Sequence, residues 1–205
     1  MNKRVCLLTF TVLAAAIPAS ADILYSNGAV NGTVNGYGIS PLFAVTDSFT
    51  LTSASVLTGV GGIGLWTDAV GDTPLSVQWG ISGLPDFTNG AGGGGAPVAT
   101  LASTFLFDTG PFSVYRSSFP LPNIALPAGV YYLSLQNGTT AQSLELFWDE
   151  NDGPSVAFQT FVGQIPSESF QILGTSVPEP NTELPLLVLL LCMVGLVRLR
   201  CFKRA

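Results

Sequence analysis

The chain contains no histidine. Between residues 22 and 176 it also contains no cysteine, no lysine and a single arginine, Arg116. Without His or Cys this region can build neither a Ser-His-Asp triad nor a thiolate nucleophile, and it lacks the usual nitrogen and sulfur donors for zinc. Cys6, Cys192 and Cys201 all fall in apolar terminal runs, so the middle of the chain forms no disulfide. Thirteen Asp and Glu residues oppose seven Lys and Arg, and every acid except Glu179 and Glu183 lies in that middle region. Such a surface has almost nothing with which to displace the counterions of a polyphosphate, which argues against a nucleic-acid partner. An amphipathic helical period is missing as well.

What is present is short strands separated by Gly, Asn and Pro. Asn27-Gly28, Asn31-Gly32 and Asn35-Gly36 mark tight turns. Over residues 45–51, Val45, Asp47, Phe49 and Leu51 share one face, while Thr46, Ser48 and Thr50 take the other, the period of a half-wet strand. Further strands are predicted over 55–59 and 63–66, divided by Gly61-Gly62, and over 75–81, 98–107, 112–119, 129–136, 144–149, 156–162 and 169–173. Residues 68–73 and Asn137-Gly138 read as turns, and Pro120, Pro122 and Pro127 as a bend or an edge. The four glycines at 92–95 are followed by no lysine and no helix signal, so this is a hairpin tip rather than a phosphate loop. Together these segments predict an all-β sandwich, with Trp79 and Trp148 in its core.

Few residues in the middle suggest chemistry. Asp149, Asn151 and Asp152 crowd oxygen donors together in a way that suits Ca²⁺ as a cofactor. The spacing is not that of an EF-hand, and a solvated acidic turn is the plainer reading. Trp66 and Tyr132 are candidates to stack on sugar rings, with Tyr132 the better placed for the surface. No two carboxylates are placed together for glycoside hydrolysis, so no catalytic residue is assigned.

The ends of the chain are more explicit. Lys3 and Arg4 precede an apolar stretch over 5–17, and Ala19-Ser20-Ala21 follows as a small-residue cleavage site. That is the pattern of a secretory signal peptide, residues 1–21, removed by signal peptidase. At the other end Pro178-Glu179-Pro180 should be extended. A polar step and an apolar run over 184–197 come next, and Arg198, Arg200, Lys203 and Arg204 close the chain as a basic membrane stop. As a helix the strict run would span roughly 21 Å, and about 28 Å counted to Phe202, against ~30 Å of hydrocarbon. Positive charge flanks both apolar segments on the same side, which places the middle outside.

This tail, residues 177–205, resembles the PEP-CTERM sorting signal of Gram-negative bacteria. The resemblance implies recognition by an exosortase near the Pro-Glu-Pro, a transient stay in the inner membrane, and release to the cell surface or extracellular matrix. In such a bacterium the Asn-Gly-Thr triplets at Asn31 and Asn137 are turn residues rather than glycosylation sites. Stretches of the middle, residues 45–51 and 126–137 and Phe147-Trp148-Asp149 with Gly153-Pro154-Ser155, are similar to cargo domains found ahead of such tails. They imply a jelly-roll-like antiparallel sandwich over residues 22–176 and carry no catalytic residues with them. The expectation is a non-catalytic surface or matrix protein of a biofilm, associated with exopolysaccharide. A carbohydrate-binding, lectin-like module is the alternative, and a glycan hydrolase stands third.

Overall fold

The computed structural model describes residues 21–32, 35–85 and 97–177. The signal peptide up to Ser20, including Ala19, lies outside the described residues, as do the Gly-rich tip and everything from Pro178 on. That tail includes Glu179, Pro180, the apolar run expected to form a transmembrane helix, and Arg198, Arg200, Lys203 and Arg204.

The described chain forms strands and no helix. From the N-terminus come β1 (Asp22–Ser26), β2 (Gly36–Gly38), β3 (Ala44–Leu51), β4 (Ser55–Thr67) and β5 (Pro74–Ser82). Then follow β6 (Val98–Thr100), β7 (Ala102–Thr109), β8 (Phe112–Leu126), β9 (Gly129–Thr140) and β10 (Leu146–Asn151). The last are β11 (Ala157–Gln159), β12 (Gly163–Ile165), β13 (Ser167–Glu168) and β14 (Gln171–Ser176). They make two antiparallel sheets. The eight-stranded sheet runs β1-β14-β4-β10-β13, with β2 added on β10 and β8 then β7 added on β4. The six-stranded sheet runs β12-β11-β3-β9-β5-β6.

The core lies between the sheets. Val45 and Phe49 of β3 and Leu133 and Leu135 of β9 meet Leu57 and Leu65 of β4 and Trp148 of β10 in one buried cluster. Each such side chain contributes roughly 1.5–3 kcal/mol by leaving water. Trp79 and Trp148 are both core residues, as their strand phase requires. Phe170 sits edge-on to Trp148, with ring centroids 5.7 Å apart.

Several boundaries differ from the sequence pattern. β4 is one strand, not two, because Gly62 takes φ +60° and forms a bulge between Val60 and Ile63 against β8. The segment read as a single strand over 98–107 is β6 in one sheet and β7 in the other; the chain changes sheets at Leu101, whose amide donates to Leu75 O at 2.8 Å. β8 continues through Pro120 and Pro122 because β7 pairs with it only as far as Ser118. Past that point β8 is an edge on that side, where a missing N–H costs no ladder bond. Asn137, expected in a turn, sits instead at φ +47° within β9, where the pairing with β5 shifts register.

Candidate functional site

Asp149 and Asp47 organise two polar centres at the same end of the molecule. Asp149 lies on the outer face of β10, beneath the loop that follows β1. Its Oδ2 accepts the Asn31 amide at 2.7 Å, and its Oδ1 accepts the Gly32 amide and the Trp66 indole N–H, each at 2.7 Å. Trp66 packs against Phe112, and Phe112 against Phe147, so the carboxylate is walled by aromatic rings. Burial pushes its pKa up, opposed by those hydrogen bonds. The loop approaches this closely because Gly32 has φ +66° and the space where a Cβ would go is filled by the Phe107 ring.

The second centre is inside the sandwich. Asp47 projects from β3 with the core residues of its strand and is 0% exposed. Its Oδ1 accepts the Ser48 amide at 2.6 Å, and its Oδ2 accepts Asn27 Nδ2 at 2.8 Å and the Glu168 amide at 2.7 Å. Burial drives its pKa up to about 6 despite these donors. Asn27 Nδ2 also lies 2.6 Å from Ser155 Oγ, 2.6 Å from Ser167 Oγ and 2.7 Å from the Glu168 carbonyl. The Tyr25 hydroxyl donates to Asn27 Oδ1 at 2.9 Å, and burial together with the Asp47 charge pushes this phenol to about 12. Asn151 Nδ2 donates to the Asn27 carbonyl at 2.6 Å and its Oδ1 accepts the Ser167 hydroxyl at 2.9 Å.

Glu168 completes this centre. It is 0% exposed, and neither carboxyl oxygen has a hydrogen-bond partner. Burial raises its pKa well above the ordinary range, and repulsion from Asp47, Asp149 and Glu150 adds to the effect. No three His, Cys, Asp or Glu side chains among the described residues gather as a metal-holding group.

The residues singled out by sequence are distributed differently from their spacing. Asp149 and Asn151 are buried in separate hydrogen-bond networks, whereas Asp152 is exposed at the rim of a cleft of about 330 Å³ lined also by Gly28, Asn31, Asn151 and Gly153. The acidic run is therefore strand as far as Asn151, with Asp149 and Asn151 buried, and only Asp152 beyond the end of β10 is exposed. Trp66 is 8% exposed and offers no ring face to a sugar. Tyr132 is half-buried on β9 of the other sheet, so these two aromatics form no common platform. Asn27, Ser155, Ser167 and Glu168 were not singled out as site residues; of this centre Asn151 was a candidate ligand, and Asp47 carried the signal of an acid in phase with Val45 and Phe49. No family model matches the chain, and no curated protein matches it.

Proposed function

We propose that this is an exported, non-catalytic β-sandwich protein, carried to the inner membrane by its signal peptide and sorted by a PEP-CTERM tail that an exosortase cuts. Its place of action is the cell surface or extracellular matrix of a Gram-negative bacterium, in association with exopolysaccharide. The observation that carries this reading is the order of elements at the C-terminus: Pro178-Glu179-Pro180, a polar step, the apolar run over 184–197 and the basic cluster from Arg198 to Arg204. We read the sandwich as jelly-roll-like. The support is that β3, β4, β5, β8, β9, β10 and β11 alternate between the two sheets.

The test is replacement of Pro178, Glu179 and Pro180 by alanine. Export should persist and maturation should stop, with the unprocessed form held at the membrane. Mass spectrometry of the surface form of the unaltered protein should find Asp22 first and no peptide from the basic end. Intact 192–205 peptide in mature surface protein would overturn the reading. A glycan array separates a matrix role from that of a lectin-like module, since only the module gives saturable binding to one defined sugar.

A further inference from the structure

Asn27 Nδ2 has two hydrogens but four oxygens within 2.6–2.8 Å: Asp47 Oδ2, Ser155 Oγ, Ser167 Oγ and the Glu168 carbonyl. The hydroxyls relieve part of this crowding, since Ser155 donates to Ser167 and Ser167 to Asn151. The lone pairs of four oxygens still converge on one small region with too few protons to share. The main chain of Glu168 lines this region through its amide and carbonyl, and its carboxyl is fully buried, without a partner for either oxygen, and with Asp47 as the charge it feels most strongly. A buried carboxyl with no donor loses the whole of its hydration without recompense. The described residues offer no lysine, and Arg116 is exposed on β8. Among the described residues no side-chain cation is in position to neutralise the pair.

We propose that Asp47 and Glu168, one from each sheet, bind a single divalent cation of the Ca²⁺ class, with oxygens of Asn27 and Ser155 and the Glu168 carbonyl filling the rest of its shell. The donor set is oxygen alone, mixed between carboxyl, hydroxyl, amide and main-chain carbonyl, which suits Ca²⁺ and its irregular coordination better than Mg²⁺ with its strict octahedron. Turning the Asn27 amide over brings Oδ1 into the cage and leaves Nδ2 facing the Tyr25 hydroxyl, which accepts as well as it donates. The cleft lined by Gly28, Asn31, Asn151 and Asp152 lies next to Asn151, whose side chain holds the Asn27 carbonyl, and supplies an approach from solvent, with exposed Asp152 drawing cations to its mouth. The ion would fasten β3 to β13, and with them the two sheets.

Calcium chloride titrated into the chelator-treated, purified full-length chain at neutral pH tests this. Saturation should occur at one ion per chain and raise the thermal midpoint by on the order of 5 °C. Glu168→Gln, the neutral isostere of a buried acid, should fold in chelator at least as stably as the unaltered chain and lose the calcium-induced rise. Asp152→Asn should keep most of it. A midpoint unmoved by millimolar calcium would overturn the proposal, as would a rise retained in Glu168→Gln or one abolished in Asp152→Asn. Should Glu168→Gln fail to fold, terbium luminescence sensitised by Tyr25 and Trp148 in the unaltered chain decides: signal displaced by calcium supports the site, and its absence refutes it.

Discussion

The Glu168 amide donates to Asp47 Oδ2 at 2.7 Å while the Glu168 carboxyl itself has no partner. One acid thus solvates the other through its main chain and leaves its own side chain bare. The contact crosses the sandwich, from β13 in the eight-stranded sheet to β3 in the six-stranded one. An apolar pair at these positions would hold the sheets together without the penalty of buried carboxyls. The arrangement makes stability depend on what neutralises the two acids.

That dependence has a definite sign. The Asp47 carboxyl is raised from its ordinary 3.8 to about 6, and that of Glu168 is raised well above its ordinary value. The other titratable groups that face them are Asp149 and Glu150 of β10, Tyr25 of β1 and Tyr37 of β2, and none is a cation. A raised folded-state pKa means that the folded chain keeps its proton where the unfolded chain has released it. The resulting stability is fully present below about pH 4, declines as the pH passes through about 6, and declines further as Glu168 ionises. Asp47 alone accounts for about 3 kcal/mol of the loss, at about 1.4 kcal/mol per pKa unit. In chelator, urea unfolding should show stability falling from about pH 4.5 to about pH 8, with the fall shallower in Glu168→Gln. Stability that rises over this range would contradict the assignment.

Much of the sandwich was legible because period-two alternation reports which face a strand buries. Leu133 and Leu135, or Val45 and Phe49, declare themselves without any knowledge of their partners. Asp47 was legible in the same way, as a polar residue in core phase. Glu168 was not, because Ser167-Glu168-Ser169 has the composition of a solvated turn and becomes buried only when β13 pairs with Glu150 and Asn151 of β10. Asn27 was hidden by its own signal. The Asn-Gly pair predicts a turn, and Gly28 supplies the positive φ of 99°, yet the Asn side chain is withdrawn into the interior. Asp149 was misread because a run of acids suggests water, whereas a strand sends alternate side chains to opposite faces, and one of those faces here is roofed by a loop.

The roof itself rests on a glycine. A Cβ at Gly32 would lie 2.5 Å from the Phe107 ring and 3.1 Å from Val114, at a φ of +66° that side chains resist. Gly32→Ala should cost about 2–3 kcal/mol, from left-handed strain plus the clash. Phe107→Ala should cost less, since that ring is 37% exposed. In the double variant the clash is gone while the strain remains. Urea unfolding should therefore show the pair costing about 1 kcal/mol less than the sum of the single changes. Strict additivity would mean that the loop moves away from Phe107 instead of pressing on it.

Asp149 tests whether the two polar centres are separate. Its carboxylate is the shared acceptor of the Asn31 amide, the Gly32 amide and the Trp66 indole. Asp149→Ala takes that acceptor from all three donors at once, and the loss should be about 3 kcal/mol or more, because stranded buried donors cost more than a made bond contributes. Trp66→Phe removes one donor and leaves the two amide bonds, so it should cost about 1 kcal/mol beyond any repacking. Hydrogen exchange should localise both effects, with the Gly32 amide losing most of its protection in Asp149→Ala and keeping most of it in Trp66→Phe. Calcium separates this centre from the other. If the ion sits between Asp47 and Glu168, the calcium-induced rise in midpoint survives in Asp149→Ala from a lower starting temperature. If Asp149 is itself a ligand, as its spacing with Asn151 and Asp152 suggested, the rise disappears with its carboxylate.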